Sequence, residues 1–183
     1  LLYPAIDWQK QLFSDMAHNT RGNFSVRGGG KKARFYVSTT YSQDKGILNV
    51  PDVSNLNSNI DLKKIQLRSN VNINLTPTTK LKLAFNAAYD DYNGPISVGA
   101  NVYTQSLRTS PVLFRPFYAQ DAANQFTKHI LFGNKVGPAG TGTYYNPYAD
   151  LARGYREDTN STIISKVDVD QDLASITEGL KLR

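Results

Sequence analysis

Between positions 65 and 75 polar and apolar residues alternate without a break. Ile65, Leu67, Ser69, Val71, Ile73 and Leu75 fall on one side, and Gln66, Arg68, Asn70, Asn72 and Asn74 on the other. A period of two held this long predicts a strand with one aliphatic and one polar face, whereas a helical wheel scatters the same residues around the cylinder. After Thr76-Pro77-Thr78-Thr79 the alternation resumes. Leu81, Leu83, Phe85, Ala87 and Tyr89 oppose Lys80, Lys82, Asn86 and Asp90. Two strands of about ten residues on a tight turn are long enough to cross a bilayer when tilted. Strands of soluble sandwiches are usually nearer five or six residues.

The same pattern organises the rest of the chain. Asn23, Ser25 and Arg27 alternate with Phe24 and Val26; Gly28-Gly29-Gly30-Lys31-Lys32 then leads into a return strand over 33–43. There Ala33, Phe35, Val37, Thr39 and Tyr41 face away from Arg34, Tyr36, Ser38, Thr40 and Ser42. Glycines followed by lysines suggest a phosphate loop, but the Walker spacing is absent and no helical pattern follows, so a hairpin turn is the better reading. Alternation returns over 162–173, where Ile163, Ser165, Val167, Val169, Gln171 and Leu173 oppose Lys166, Asp168, Asp170 and Asp172. A final strand is expected over 179–183. Asp7, followed by Trp8, Leu12 and Phe13, reads as the N-cap of a short helix. Residues 101–110 offer Asn101 as a cap and one or two helical turns ending before Pro111.

Six strands follow, with connections that run short, long, short, long, short. The expected layout is a loop with a short helix over 1–19, two hairpins over 20–92, a long loop over 93–158 and a hairpin over 159–183. Tight turns on one side and long loops on the other mark a transmembrane antiparallel β-barrel segment, its short turns periplasmic and its long loops extracellular. Structureless connections of that length are uncommon in a compact soluble domain. The long loop carries much of the aromatic content. Tyr103, Phe117, Tyr118, Tyr144 and Tyr145 are candidates either for packing the loop or for meeting a ligand or partner.

Composition changes this picture little. The 183 residues have a net charge of +6 and no cysteine, with a mean hydropathy of −0.43. No run approaches a transmembrane helix, and barrel strands hide lipid-facing residues in alternation, so low hydropathy is compatible with a barrel. The basic residues lie on polar strand faces and in turns, without the clustered aromatics of a nucleic-acid surface, so no nucleic-acid partner is expected. His18 and His129 have no partner at metal-ligand spacing, and Asp168, Asp170 and Asp172 read as wet-face residues rather than a calcium site. No catalytic constellation and no cofactor motif is present, so the chain is not expected to be an enzyme.

Several motifs in order resemble one family. They are Asp7-Trp8 with Leu12-Phe13, Phe24-Ser25-Val26-Arg27-Gly28-Gly29, Arg34-Phe35-Tyr36-Val37-Ser38 and Leu67-Arg68-Ser69-Asn70 running into Leu81-Lys82-Leu83. Leu107-Arg108-Thr109-Ser110-Pro111, Asn146-Pro147-Tyr148-Ala149 and Gly179-Leu180-Lys181-Leu182-Arg183 continue the series. Together they resemble the SusC/RagA-type TonB-dependent outer-membrane transporters of Bacteroidetes. That resemblance implies about a quarter of a plugged barrel of about 22 strands. It also implies a SusD-like surface lipoprotein as partner, energy from the TonB complex, and oligosaccharides or peptides as cargo. No plug domain or TonB box is recognisable, and the chain is expected to be a piece of a longer protein. On this reading Arg68, Asn70, Asn72, Asn74, Lys82 and Asn86 face the lumen, while Leu67, Val71, Ile73, Leu81, Leu83 and Phe85 face lipid. The alternatives are a soluble β-sandwich that binds carbohydrate or acts as an adhesin, with the aromatic loop as its binding surface, and a porin or siderophore receptor.

Overall fold

The computed structural model describes residues 3–50, 54, 56–139 and 141–183. Positions 1–2 of the first segment, 51–53 and 55 between the two hairpins, and 140 of the long loop lie outside the described residues. In chain order the elements are α1 (Trp8–Leu12), β1 (His18–Gly29), β2 (Ala33–Lys45), β3 (Asp61–Asn74), β4 (Thr79–Pro95), α2 (Gly99–Arg108), β5 (Phe117–Tyr118), β6 (Leu131–Phe132), α3 (Pro147–Leu151), β7 (Tyr155–Asp172) and β8 (Lys181–Leu182). Strand accounts for 48% of the chain and helix for 11%, which makes it an all-β protein. One antiparallel sheet dominates, in the order β1-β2-β3-β4-β7-β8. It is open, with β1 and β8 as its edges.

The chain divides into two compact units. Residues 19–43, 62–91 and 158–183 form a sheet unit, and residues 1–18, 44–61 and 92–157 form a loop unit.

In the sheet unit, local chemistry sets each short turn. Gly30 N–H donates to the Ala33 carbonyl at 2.7 Å. The Thr76 hydroxyl accepts from the amides of Thr78 (3.3 Å) and Thr79 (2.9 Å), so the side chain takes the role a backbone carbonyl plays in an ordinary turn. Asn74 ties the two turns together: its amide N–H donates to the Lys32 carbonyl at 2.7 Å and its Nδ2 to the Lys31 carbonyl at 3.0 Å. Gly179 precedes β8 at φ +80°, a conformation that glycine adopts without Cβ strain.

The loop unit holds the hydrophobic core. Asp7 caps α1 by accepting from the Lys10 amide at 3.1 Å, and Trp8 and Leu12, four residues apart, bury the same helix face. They meet Leu48, Val102 of α2, Phe114, and Tyr148 and Leu151 of α3 in one cluster. Trp8 packs edge-on against Phe114 with centroids 5.7 Å apart, and its indole N–H donates to the Ser110 carbonyl at 3.3 Å. Asn146 caps α3, with Pro147 in the first turn.

Several expectations are corrected. The strands run to 12–18 residues in five of the six cases, and β1 and β7 begin well before the alternation becomes visible. Residues 18–22 and 155–161 are polar on both faces, so no hydrophobic period marks them. The final strand pairs over two residues, Gln171 with Leu182 and Asp172 with Lys181, rather than five. The 93–158 segment is not structureless: it contains the end of β4, α2, the small β5–β6 sheet, α3 and the start of β7. Asn101 does not cap α2. Val98 holds that position without a side-chain bond, and Asn101 lies in the first turn, its amide donating to the Val98 carbonyl at 2.8 Å. The predicted end before Pro111 stands, since α2 closes at Arg108.

Candidate functional site

Cross-strand contacts show which residues of the sheet unit share a face. Arg68 Nε donates to Asn86 Oδ1 at 3.2 Å, Lys82 Nζ lies 2.5 Å from Asp170 Oδ2, and Asn23 Nδ2 donates to Thr40 Oγ1 at 2.7 Å. The even positions of β2, β3, β4 and β7 therefore stand with the odd positions of β1. On the opposite face Phe35 lies across Gly28, where an added Cβ would meet its ring at 2.9 Å. A glycine roofed by the neighbouring strand's aromatic ring keeps that face continuous.

The polar face carries two hollows. One hollow of about 510 Å³ is lined by Asn23, Tyr36, Thr40, Gln66, Arg68 and Asn86, among others. A second, of about 640 Å³, is lined by Lys31, Lys32, Arg34, Asn72, Asn74 and Lys80. Four of the six residues expected on the lumen side thus line one hollow or the other. Lys82 joins them on that face through its ion pair with Asp170, and Asn70 by its even position in β3.

The opposite face carries Leu67 and Phe85, both exposed, and Val71, Ile73, Leu81 and Leu83, all half-buried. No residue of the sheet unit is buried. Phe24 is 66% exposed, Ile163 69% and Val167 64%. The buried residues described for this chain all belong to the loop unit. Leu67 and Ala87 also border the hollow on the polar side although their odd positions belong to the opposite face, and Ile164, apolar at an even position, breaks the pattern outright.

The aromatic loop residues divide. Phe117 is half-buried and stacks on Tyr148 at 5.5 Å, so it builds the core. Tyr103 is 51% exposed with its ring edge-on to Phe13 at 6.0 Å, and Tyr118 is exposed beside β6. Tyr144 and Tyr145 come together in a cleft of about 450 Å³ with Asn134, Thr143, Asp150 and Arg153; Tyr103 and Tyr118 do not line it. Asp150, Asn146 and Arg153 were not anticipated. Asp150 is buried, with Oδ1 3.3 Å from Arg153 Nη2 and Oδ2 without a hydrogen-bond partner. Partial desolvation of a ring that stays 45% exposed, and then the Asp150 carboxylate beside it, push the Tyr145 phenol up to about 12. Asn146 is a hub: Oδ1 accepts from the amides of Tyr148 and Ala149, while Nδ2 donates to the carbonyls of Pro116 and Gly133, both at 2.8 Å. The Asn-Pro dipeptide was the available signal for that cap.

His129 contacts only the neighbouring Ile130 carbonyl, and no group of three or more metal-ligating side chains occurs among the described residues. No described helix is long and apolar enough to cross a membrane. The architecture defines the class: an all-β protein built on an open six-stranded antiparallel sheet with one apolar and one polar face. No protein-family model matches the chain, and no curated protein matches it.

Proposed function

We propose that the sheet is part of the wall of an outer-membrane β-barrel. Its apolar face meets acyl chains, and its polar face, with the two hollows, lines the lumen. The observation that carries this reading is an apolar face of long strands left exposed, with Phe24, Ile163 and Val167 all more than half accessible. Lipid-facing barrel residues are apolar, alternate with polar lumen residues and need no protein cover. In water a face of this extent is an aggregation surface. The strand lengths fit as well, since about 9–11 tilted residues span a bilayer and the longer strands here extend beyond that.

Within this reading the chain is part of a SusC/RagA-type TonB-dependent transporter. It supplies wall and extracellular loops for import of glycans or peptides with a SusD-like lipoprotein, while the TonB complex acts through a part of the protein outside this chain. The motif series from Asp7-Trp8 to Gly179-Leu180-Lys181 supports that family. A soluble carbohydrate-binding β-sandwich or adhesin is the competing reading. A sandwich buries the inner face of each sheet, and the exposure of the aliphatic face speaks against it.

Detergent dependence tests the proposal. The chain refolded in plain buffer should sediment as aggregate, and the same chain in mild detergent should be dispersed with a β-type circular dichroism spectrum. A monodisperse monomer in plain buffer would remove the barrel reading.

A further inference from the structure

The loop unit buries a carboxylate that it satisfies on one side only. The Asp150 side chain is 4% exposed; Oδ1 lies 3.3 Å from Arg153 Nη2, and Oδ2 has no hydrogen-bond partner. Arg153 does not saturate the group. Its contact is longer than the roughly 2.7–2.9 Å of a charge-assisted bond. The same nitrogen donates to Ser97 Oγ at 3.3 Å, and the side chain is 55% exposed. The Tyr145 phenol, raised first by desolvation and then by this carboxylate, feels the charge without closing a hydrogen bond on Oδ2. Asn93 Oδ1 is the other buried oxygen without a partner among the described residues. It belongs to a neutral amide, which is far less costly to isolate than a charge.

Asp150 also borders the cleft of about 450 Å³ that holds Tyr144 and Tyr145, which are 43% and 45% exposed. A ligand entering there meets one unpaired anionic acceptor beside two tyrosine rings, and each feature narrows its chemistry. The acceptor calls for a donor, and a charged donor makes the stronger bond. Tyrosine faces attract cations held within about 6 Å of the ring. A guanidinium presents a fork that matches two oxygens, and here Oδ1 is already engaged. A quaternary ammonium has no N–H to give. A primary ammonium is a compact charge with N–H donors, and a single oxygen suffices for it. The cleft has room for the carbon chain behind that charge.

We propose that the cleft formed by Tyr144, Tyr145 and Asp150 binds a primary alkylammonium group, with Asp150 Oδ2 accepting from its N–H and the tyrosine rings beside its charge. The group belongs either to a free amine or to the side chain of a peptide lysine. The site lies wholly within the loop unit, so it stands whether or not the sheet is a barrel wall.

The test is a ligand-observed nuclear magnetic resonance titration on the full chain, in mild detergent or plain buffer, whichever keeps it dispersed. The probes are n-butylammonium for the free amine and a glycyl-lysyl-glycine tripeptide blocked at both ends for the peptide lysine. The controls are 1-butanol and tetramethylammonium. At least one of the two ammonium probes should saturate and bind about tenfold or more tighter than 1-butanol; the tighter of the two names the source. Asp150→Asn should lose about tenfold or more, and Tyr144→Ala about two- to fivefold. Glu178→Gln, an exposed position of the sheet unit, should bind as the parent does. Emission of Trp8, packed in the core of the loop unit, checks that each variant is folded. Absence of saturable binding overturns the proposal, since water would then be what fills the cleft. So does equal binding of 1-butanol, which would make Asp150 a plain acceptor, or of tetramethylammonium, which would leave the rings as the whole site. A folded Asp150→Asn that binds unchanged overturns it as well, as does an unchanged Tyr144→Ala where Asp150→Asn does not fold.

Discussion

The orientation of the sheet is most directly tested by placing an arginine at Val71 and comparing it with one next door. The apolar alternation of β3 runs from Ile65 to Leu75, eleven positions. At a rise of about 3.4 Å per residue and a tilt of about 45°, that stretch covers about 26 Å along the membrane normal. The lipid-facing band of such barrels is about 25 Å tall. In the proposed wall the midpoint of that stretch, Asn70, would set the midplane, with Val71 within about 3 Å of it and on the apolar face. Arginine there should cost about 2–4 kcal/mol, and Leu75→Arg, at the edge of the band, only about 0–1 kcal/mol.

Asn70→Arg is the matched control, because it places the same side chain at the same depth on the wet face. Asn72 serves less well: it shares a hollow with Lys31, Lys32, Arg34 and Lys80, and a fifth cation there adds repulsion of its own. The assay is reversible folding into short-chain lipid vesicles across a urea gradient, read by tryptophan emission and by electrophoretic mobility. Val71→Arg should lose several-fold more stability than Asn70→Arg, with Leu75→Arg in between or close to the parent. Equal losses at positions 70 and 71, or a larger loss at 70, would refute the assignment of faces.

Three further outcomes concern the loop unit. Phe114→Ala removes a ring that is 1% exposed and packed on Trp8, and it should cost about 3–5 kcal/mol; because Trp8 is the sole tryptophan, its emission should shift to the red and report the loss. Asn146→Asp keeps the α3 cap but replaces two donors with a carboxylate facing the Pro116 and Gly133 carbonyls, so it should cost about 2–4 kcal/mol by thermal melting at neutral pH. The Tyr145 phenol, raised to about 12 in the folded chain from 10.0, should contribute stability that is complete below pH 10 and lost as pH rises toward 12. Phenolate absorbance of the parent minus that of Tyr145→Phe should show a step near the upper limit, and a step near pH 10 would contradict the partial desolvation and the Asp150 contact.

How far the sequence carried depended on what each pattern records. In β2, β3 and β4 the hydrophobic alternation sorts residues into two faces, and the contacts Arg68–Asn86 and Asn23–Thr40 join residues that it puts on the polar sides. At the ends of β1 and β7 there was nothing to alternate, because His18, Asn19 and Thr20, or Arg156, Glu157 and Asp158, are polar in both directions. Strand there is held by pairing with a neighbour, which is a nonlocal property. The segment from 93 to 158 was opaque for a different reason. Its helices are five and ten residues long, too short to display a period, and its strands β5 and β6 have two residues each. What shapes it are long-range bonds that no window contains, such as Ser58 Oγ to the Leu151 carbonyl at 2.7 Å across 93 positions.

The same distinction governs the site. A period of two states which residues stand together; it is silent on what stands opposite them. Leu67, Val71 and Leu83 would give an identical string whether a second sheet, a helix layer or lipid covered them. Exposure bears on them, because no residue of the sheet unit is buried by the rest of this chain. In a chain able to bury Trp8, Leu12, Phe114 and Leu151 almost completely, an uncovered aliphatic face is not explained by a shortage of packing capacity. Burial is worth about 25 cal/mol for each Å² of apolar surface removed from water, so in water a sheet this wide gains by closing its apolar face against other protein. A sheet with an unburied aliphatic face, and with hollows on its polar side that gather Arg34, Arg68 and Lys80, is the arrangement that the proposed barrel wall calls for.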